Sequence, residues 1–388
     1  MLATPPLSLY VHLPWCLRKC PYCDFNSHAV PEAGVPREAY ATALVEDLEC
    51  ALRGCEGRVI VSVFFGGGTP SLFPPETIRR VLESVRAMGS LATGAEVTLE
   101  ANPGALERGR FADYAEAGVN RVSLGAQSFD DRQLAALGRI HSAREVEAAV
   151  ADLRVAGIDN FNLDLMYALP QQGLVEAVRD VERAIDLGPA HLSHYQLTLE
   201  PETPFAKRPP PLPDDEASFE MQEACQERLA SAGYAQYEVS AFARPGRLCV
   251  HNLNYWRYGD YLGIGAGAHG KVTEMRRGRI VRTVRVRHPA QYLAAHTAAE
   301  RVAQCHDVAP AELPFEFCLN ALRLNEGFDT ALFEARTGQP RTVLAEGLAK
   351  ACARGLILES VPGHWAPTAL GRAFLNELTG IFLPEAGT

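Results

Sequence analysis

Residues 15–25 read Trp15-Cys-Leu-Arg-Lys-Cys-Pro-Tyr-Cys-Asp-Phe25 and follow directly on an apolar, strand-like run, Leu7–Leu13. The stretch sets three thiols, Cys16, Cys20 and Cys23, within eight residues of one loop. A structural zinc site uses four ligands and a disulfide uses two, whereas a four-iron cluster held by three thiolates keeps one iron open for a small chelating ligand. The spacing therefore predicts an iron–sulfur cluster.

Two other interpretations of these thiols stay open. The first is a zinc site of the Cys3His type, with His12 or His28 as its fourth ligand. The second is that the thiols are buried and unrelated to one another. Loop thiols at this density are costly unless a metal neutralises the charge of their thiolates. A metal cluster is therefore the favoured interpretation.

The 388-residue chain is acidic, with 37 Lys and Arg against 47 Asp and Glu and a net charge of −10. Its length fits about two or three domains. The charge argues against nucleic acid as a partner, because binding to a phosphate backbone needs a positive surface. Ten cysteines without a secretory signal predict a reducing, cytoplasmic setting. No apolar run approaches the ~20 residues of a transmembrane helix.

A repeated pattern of short apolar runs and helix-period segments organises the first half of the chain. The predicted strands are Leu7–Leu13, Val59–Phe65, Glu96–Leu99, Arg121–Leu124, Asn160–Met166 and His191–Leu199. Strands that alternate with helices form a parallel sheet, and six such units fit a partial barrel rather than a complete one. The sequence therefore predicts an α/β fold, a partial (β/α)6 TIM-like barrel with its chemistry at the carboxyl ends of the strands.

Polar and glycine-rich residues follow these strands. The run Gly66-Gly-Gly-Thr-Pro70 lets the backbone approach a ligand closely, although a bare turn is the plain alternative. Glu100 ends the next strand, where it either accepts from a ligand or is simply solvated. Gln127, Arg139 and Asp164 extend this polar ring, and each is either a ligand contact or a structural hydrogen-bonding group. Beside the cysteine loop, we interpret the set as a cofactor cradle.

A second glycine-rich stretch, Gly265-Ala-Gly-Ala-His-Gly270, matches the dinucleotide-binding pattern G-x-G-x-x-G. That pattern requires a helix next, but the later part of Arg279–Arg287 alternates valine and arginine in the period of a strand. We therefore reject a nicotinamide site. The arginines fit a solvated edge strand, or a place for carboxylates such as porphyrin propionates.

The segment His251-Asn-Leu-Asn-Tyr-Trp256 combines an imidazole with two large aromatic rings. An isolated histidine is more often a surface or core residue than a ligand. Imidazole is, however, a common axial ligand of heme iron, and flat aromatic rings suit a porphyrin face. His251 is therefore a candidate heme ligand.

From about Leu313 the pattern turns helical and ends in a hairpin around Pro362-Gly363, followed by a last helix. Helices with such a hairpin predict a C-terminal, mostly helical, winged-helix-like domain. Its charges form no basic face, so packing or partner docking is favoured over DNA binding.

Motifs along nearly the whole chain resemble, in order, those of the HemN/HemW branch of the radical SAM superfamily. They are Tyr10-Val-His-Leu-Pro, the three cysteines, Gly-Gly-Gly-Thr-Pro-Ser, Leu-Glu-Ala-Asn-Pro, Gly-Ala-Gln-Ser-Phe, Gly-Arg-Ile-His and Gly-Ile-Gly-Ala-Gly-Ala-His-Gly. The resemblance implies that Cys16, Cys20 and Cys23 ligate a 4Fe-4S cluster. The residues implied to contact the cluster-bound S-adenosylmethionine are Tyr10, Gly67 and Glu100. Those that match a second S-adenosylmethionine site in the dehydrogenase relative are Gly68, Thr69, Gln127, Arg139 and Asp164.

Three departures separate the chain from the oxygen-independent coproporphyrinogen III dehydrogenase of this branch. Phe25 stands where the dehydrogenase carries a fourth cysteine. The chain begins fifteen residues before Cys16, so the enclosing N-terminal extension is expected to be missing. The motif His251-Asn-x-x-Tyr-Trp256 is similar to that of the heme-binding members of the branch, which makes His251 the expected axial ligand.

The resemblance therefore implies a heme chaperone that binds heme and transfers it to acceptor apoproteins, with an exchangeable S-adenosylmethionine on its cluster. The alternative is dehydrogenase chemistry, in which a low-potential electron donor reduces the cluster and a radical from S-adenosylmethionine attacks a porphyrinogen propionate. The predicted domains are a radical SAM core at 1–236, a β-rich connecting region at 237–305 and the helical C-terminal domain at 306–388.

Overall fold

The computed structural model of the chain describes residues 2–55, 57–104 and 109–384. Its strands are β1 (Leu7–Leu13), β2 (Trp15–Cys16), β3 (His28–Ala29), β4 (Ile60–Gly67), β5 (Leu91–Ala101), β6 (Arg121–Gln127), β7 (Phe161–Tyr167), β8 (His191–Gln196), β9 (Ala235–Gln236), β10 (Ala241–Ala243), β11 (Asp260–Ile264), β12 (His269–Glu274), β13 (Arg279–Arg285), β14 (Val302–Asp307), β15 (Phe328–Asp329), β16 (Ile357–Val361) and β17 (His364–Pro367).

Its helices are α1 (Arg37–Arg53), α2 (Pro75–Ala87), α3 (Phe111–Ala117), α4 (Asp131–Ala136), α5 (Ala143–Val155), α6 (Leu174–Asp186), α7 (Pro204–Lys207), α8 (Asp215–Ser231), α9 (Val250–Trp256), α10 (Pro289–Ala294), α11 (Leu313–Ala321), α12 (Thr330–Thr337), α13 (Ala345–Ala353), α14 (Ala369–Ala373) and α15 (Leu375–Gly380). Short 3-10 turns occupy Pro70–Leu72, Ala299–Arg301 and Arg341–Leu344.

One large sheet of the described residues has the strand order β14-β13-β12-β11-β1-β4-β5-β6-β7-β8-β10-β9. From β1 to β8 its strands are parallel, and each lies beside the next barrel strand along the chain. Because β14 and β9 do not pair with each other in the described part of the chain, the barrel is open. The predicted partial (β/α)6 barrel is confirmed, and each predicted strand overlaps an observed one.

Helix α2 shows why the connecting segments are helical. Pro75 stands in its first turn, where the missing N–H leaves no helical hydrogen bond unmade. Ile78, Val81, Leu82 and Val85 recur three or four residues apart, are fully buried, and join the apolar core of the strands. The outer helices are thus held by the core they share with the sheet. Within the described ranges, no helix has both the length and the apolar character that crossing a membrane requires.

Strand β11 returns after the barrel to pair in parallel with β1, and β12, β13 and β14 continue the sheet in antiparallel fashion. The glycine-rich stretch Gly265–Gly270 leads into β12, which starts at His269, instead of into a helix. The strand predicted after this stretch is therefore confirmed, and it stands where a dinucleotide fingerprint requires a helix. The expectation of a solvated edge strand is wrong, because β14 covers the outer side of β13 and Arg285 is buried.

Ion pairs of buried carboxylates hold strands β11 to β13 in place beside the barrel. Asp260 accepts from Lys271 Nζ at 2.9 Å and from Arg58 Nη1 at 2.8 Å. Asp47 of α1 accepts from Arg285 Nε at 2.9 Å. An unpaired charge is costly away from water, so the pairs of Lys271 and Arg285 fix the positions of β12 and β13.

The C-terminal region has an apolar core of its own, in which Phe317, Phe333 and Leu344 are fully buried. Within the described residues, β15, β17 and β16 form an antiparallel sheet beside helices α11 to α15, and the predicted hairpin is present as β16 and β17. The winged-helix-like domain is confirmed. Tyr258 and Ile280 also join this core, and the boundaries at 236 and 305 stay predictions. Residues 1 and 385–388, the ends of the predicted outer domains, lie outside the described residues.

Candidate iron–sulfur and cofactor site

The cysteine loop follows the carboxyl end of β1 and is closed at its base by the pairing of β2 with β3. Cys16, Cys20 and Cys23 are half-buried, form no disulfide in the described part of the chain, and line one cavity of about 730 Å³, the cofactor cavity. The Thr69 hydroxyl donates to Cys16 Sγ at 3.5 Å, and the Arg139 guanidinium donates to Cys20 Sγ at 3.7 Å. Donors directed at sulfur favour the thiolate form that an iron cluster requires.

The charge balance of the loop also suits a cluster. Burial raises the pKa of the Cys16 and Cys23 thiols. Ionised sulfurs at these positions therefore need a compensating positive charge, which the irons of a cluster provide. Each sulfur binds a different iron of a four-iron cluster, so the three sulfurs need not converge on one point. The donor set fits a 4Fe-4S cluster.

The histidines near the loop do not complete a zinc site. His12 Nε2 donates to the Asn26 carbonyl at 2.9 Å, and its Nδ1 accepts from the Tyr10 hydroxyl at 2.9 Å. The Nε2 atom of His28 lies 3.3 Å from Asn26 Oδ1. Among the residues that the structure describes, no three His, Cys, Asp or Glu side chains are placed to hold a single metal ion. His12 instead positions the loop.

Gly67 and Gly68 let the backbone pass close to the cysteine loop. Gly67 has a φ of +117°, and its N–H donates to Glu100 Oε2 at 3.1 Å. A Cβ atom on Gly67 would lie 2.5 Å from the His12 ring, and one on Gly68 would lie 2.6 Å from the Trp15 carbonyl oxygen. Both positions therefore require glycine, and the close approach brings their backbone to the cavity wall.

Two acidic side chains, Glu100 and Asp164, line the part of the wall that the strand ends form. Burial raises the pKa of Glu100 to about 7; the charge of Asp164 adds to this rise and the Gly67 N–H opposes it. Burial also raises the pKa of Asp164, which accepts from Ser123 Oγ at 3.1 Å and Asn162 Nδ2 at 2.7 Å. Near neutral pH, Glu100 therefore changes between a carboxylate acceptor and a protonated group.

Gln127 and Arg139 are fixed at the wall by other polar side chains. Gln127 has a φ of 68° and follows a bulge in the pairing of β6 with β7, which re-aims its side chain. Its amide oxygen accepts from the Tyr195 hydroxyl at 2.8 Å. Arg139 Nη2 donates to Asn102 Oδ1 at 2.5 Å. The two predicted residues are therefore held in defined orientations.

Most of the predicted ligand residues line the cofactor cavity together with the cysteines. They are Gly67, Gly68, Thr69, Glu100, Gln127, Arg139 and Asp164. Tyr10 lies beside it, in a neighbouring cavity that also borders Glu100. Sequence reasoning missed Asn102 and Tyr195. Asn102 has a signal in the motif Leu-Glu-Ala-Asn-Pro, whereas nothing local marks Tyr195, which reaches Gln127 through the sheet.

His251 lies outside the cofactor cavity. It borders a separate polar cavity of about 270 Å³, which Glu100 and Asp164 also line. The residue is 1 % exposed; its Nδ1 is 3.0 Å from Ser62 Oγ and its Nε2 is 3.0 Å from the Tyr255 hydroxyl. Burial lowers the pKa of His251 to about 3, so the ring is neutral. Both ring nitrogens are engaged within the protein.

The chain matches the family models of the Radical SAM superfamily over residues 10–184 and of the HemN C-terminal domain over residues 308–374. The heme chaperone HemW of Escherichia coli is 48% identical over 385 residues, which cover 99% of this chain and 100% of that protein. The chain belongs to the HemW family of radical SAM proteins. The HemW of Haemophilus influenzae is 46% identical over 98% of this chain and 99% of its own.

A solved structure agrees with the HemW-family fold. Coproporphyrinogen III oxidase (HemN) from Escherichia coli, a radical SAM enzyme, matches with a TM-score of 0.81 at 21% identity, over 98% of this chain and 90% of that chain. At this identity the likeness establishes the fold alone. The resemblance predicted from the motifs is confirmed. A radical SAM fold implies a 4Fe-4S cluster with S-adenosylmethionine, and the residues of the cofactor cavity fit this pair.

Proposed function

We propose that the protein is a heme chaperone that binds heme and passes it to acceptor apoproteins. The observation that carries the proposal is the cofactor cavity with its three cysteines, placed directly beside a second, aromatic cavity of about 630 Å³. The relatives named heme chaperone HemW support the choice of heme as the cargo. A low-potential electron donor is a further partner in this proposal.

In the proposal, Cys16, Cys20 and Cys23 hold a 4Fe-4S cluster, which supplies an iron with an exchangeable coordination position when it is bound. The residues proposed for the first S-adenosylmethionine are Tyr10, Gly67 and Glu100. Those proposed for a second are Gly68, Thr69, Gln127, Arg139 and Asp164. Gly67 contributes backbone groups at close range, and Glu100 contributes an acceptor for the ligand's hydroxyl or amino groups.

We propose that a ligand in the cofactor cavity changes the affinity for heme, because the two cavities share lining residues. Gly67 and Glu100 border both the cofactor cavity and the aromatic cavity. A ligand that orders these residues therefore changes the surface that heme meets. His251 is the iron ligand proposed from the sequence, and its use requires the Tyr255 hydroxyl to leave His251 Nε2.

The expected result with ferric heme is a shifted Soret band that saturates with the protein concentration. The same protein, loaded with its cluster and given coproporphyrinogen III, S-adenosylmethionine and a reductant under anaerobic conditions, is expected to form no protoporphyrinogen. Chromatography of the tetrapyrroles measures the second result. Protoporphyrinogen formation would instead favour the dehydrogenase function, and an unshifted Soret band would remove heme as the cargo.

The variant Glu100→Gln is expected to bind S-adenosylmethionine roughly tenfold more weakly, because a charged acceptor is lost. It is also expected to gain stability relative to wild type as the pH rises. The folded pKa of Glu100, about 7, exceeds the ordinary glutamate pKa of 4.5 that holds in the unfolded chain. Between these values the folded state binds more protons than the unfolded state, so ionisation of Glu100 lowers the free energy of unfolding as the pH rises. The relative gain is on the order of 2 kcal/mol.

Equilibrium dialysis with S-adenosylmethionine and denaturant unfolding of the cofactor-free protein, at about pH 5 and about pH 8, measure these effects. The matched control is Asp159→Asn, which changes an exposed carboxyl outside the cavity and is expected to alter neither. Unchanged binding together with no pH-dependent difference would contradict the role given to Glu100.

A further inference from the structure

The aromatic cavity lies between the cysteine loop and strands β11 to β13. Its volume of about 630 Å³ falls in the ~300–1,000 Å³ range of small-molecule sites. The phenyl, phenol and indole side chains that line it are Tyr10, Phe25, Tyr255, Trp256, Tyr258 and Tyr261. Phe25 is 60% exposed, a large apolar surface at the cavity edge. Flat apolar walls of this kind suit a planar macrocycle.

His269 is the first residue of β12, is exposed, and lines the aromatic cavity. Within the described residues its ring has no hydrogen-bond partner, whereas both ring nitrogens of His12 and of His251 are bonded. Burial lowers the pKa of His269, and the charge of Arg282 adds to this effect. The ring is therefore neutral at physiological pH and retains a lone pair for a metal.

The cations of the cavity differ in their pairing. Lys271 is bound to Asp260, Arg282 to Glu316 and Arg285 to Asp47. Arg287 donates through Nε to Asn26 Oδ1 at 3.2 Å, and within the described part of the chain its guanidinium meets no carboxylate. Since Arg287 is exposed at the cavity, its terminal nitrogens are available to a ligand carboxylate.

The aromatic cavity is also connected to the cysteine loop, by shared lining residues and by hydrogen bonds. Phe25 and Glu100 border both cavities. Asn26 Nδ2 donates to the carbonyls of Ala266 and Arg287, at 2.9 Å in each case. A ligand that binds Arg287 therefore also affects the position of the loop that carries the three thiols.

We propose that the aromatic cavity is the heme site, with His269 as the iron ligand and Arg287 as the partner of a heme carboxylate. The inference rests on the proposed function and specifies which residues recognise the cargo. It places the iron at an exposed imidazole instead of at the buried His251. Heme then enters and leaves the cavity while the Tyr255–His251 hydrogen bond stays intact.

The test is a titration of the cluster-loaded protein with ferric heme, recorded as difference spectra against heme-free protein. His269→Ala is expected to lose the Soret shift and the electron paramagnetic resonance signature of imidazole-ligated iron, with affinity roughly tenfold or more weaker. Added imidazole is expected to restore the shift in this variant. Arg287→Ala is expected to keep the shift and to bind heme roughly fivefold more weakly.

The matched controls are His296→Ala and Arg276→Ala, which remove exposed side chains outside the cavity and are expected to bind heme as wild type does. Wild-type iron content shows that each variant is folded. An unchanged Soret band in His269→Ala, with the band lost in His251→Ala, would overturn the inference and leave the proposed function standing. Absence of a heme complex in wild type itself would overturn both.

Discussion

The variant Cys20→Ala is expected to lose its iron–sulfur absorption and to retain roughly a tenth or less of the wild-type iron after anaerobic reconstitution. A cluster held by three protein thiolates loses one iron's protein ligand when any of them is removed. The polar neighbours of the thiols, Thr69 and Arg139, offer hydrogen-bond donors instead of the soft anionic sulfur that iron prefers. Iron analysis and the anaerobic optical spectrum measure the loss.

Two exposed thiols outside the loop provide matched controls for this experiment. Cys305→Ala and Cys352→Ala each remove one thiol, and both are expected to keep the wild-type spectrum and iron content. Full iron in Cys20→Ala, or an equal loss in either control, would contradict the assignment of the cluster to the loop.

The variant Asp260→Ala is expected to lower the free energy of unfolding by about 3–5 kcal/mol. The Asp260 carboxylate is fully buried and accepts from Lys271 at 2.9 Å and from Arg58 at 2.8 Å. Lys271 is itself 1 % exposed. Removal of the carboxylate leaves this ammonium buried without its ion-pair partner, which costs more than the pair contributes. Denaturant unfolding measures the difference.

The pH dependence of this loss identifies its cause. Burial lowers the pKa of Lys271, and Asp260 opposes that fall. Without Asp260 the folded pKa falls further, while the unfolded lysine keeps its ordinary value. Between the two values the unfolded state binds more protons, so stability rises with pH and the deficit of Asp260→Ala shrinks as the pH rises toward the ordinary pKa of lysine.

A surface ion pair gives the comparison for Asp260. Glu377→Ala removes an exposed pair with Arg354 and is expected to change the free energy of unfolding by less than about 1 kcal/mol. The double variant Asp260→Ala/Lys271→Ala is expected to recover part of the single variant's loss. A loss in the free energy of unfolding of Asp260→Ala that does not change with pH, or one no larger than that of Glu377→Ala, would refute the buried-charge explanation.

The features that the sequence predicts are those with local signals. The sequence predicts strand β1 with its observed ends because leucine and valine alternate with Ser8, Tyr10 and His12, and Pro6 and Pro14 flank the run. The placement of Glu100 and Asp164 in one cavity followed from a rule of parallel sheets, in which carboxyl ends of neighbouring strands meet at one edge. Spacing and topology thus suffice for most of the cofactor cavity.

The features that the sequence does not predict depend on distant pairing. Arg285 alternates with valines as on a solvated strand, yet its partner Asp47 lies 238 residues away on α1. Tyr195 reaches Gln127 across 68 residues. The engagement of His251 Nδ1 likewise depends on Ser62, 189 residues earlier. Side-chain partners of this kind leave no periodic signal, because neither residue constrains its own sequence neighbours.

The hydrogen bond from Asn26 to Ala266 joins residues 240 positions apart, and β1 meets β11 over a similar interval. Contacts this distant in sequence form late, both in folding and on the ribosome. The nascent chain therefore lacks the contact of Asn26 with Ala266, and that of β1 with β11, until the segment around β11 has been synthesised. A chain that ends before β11 would therefore lack both of these contacts.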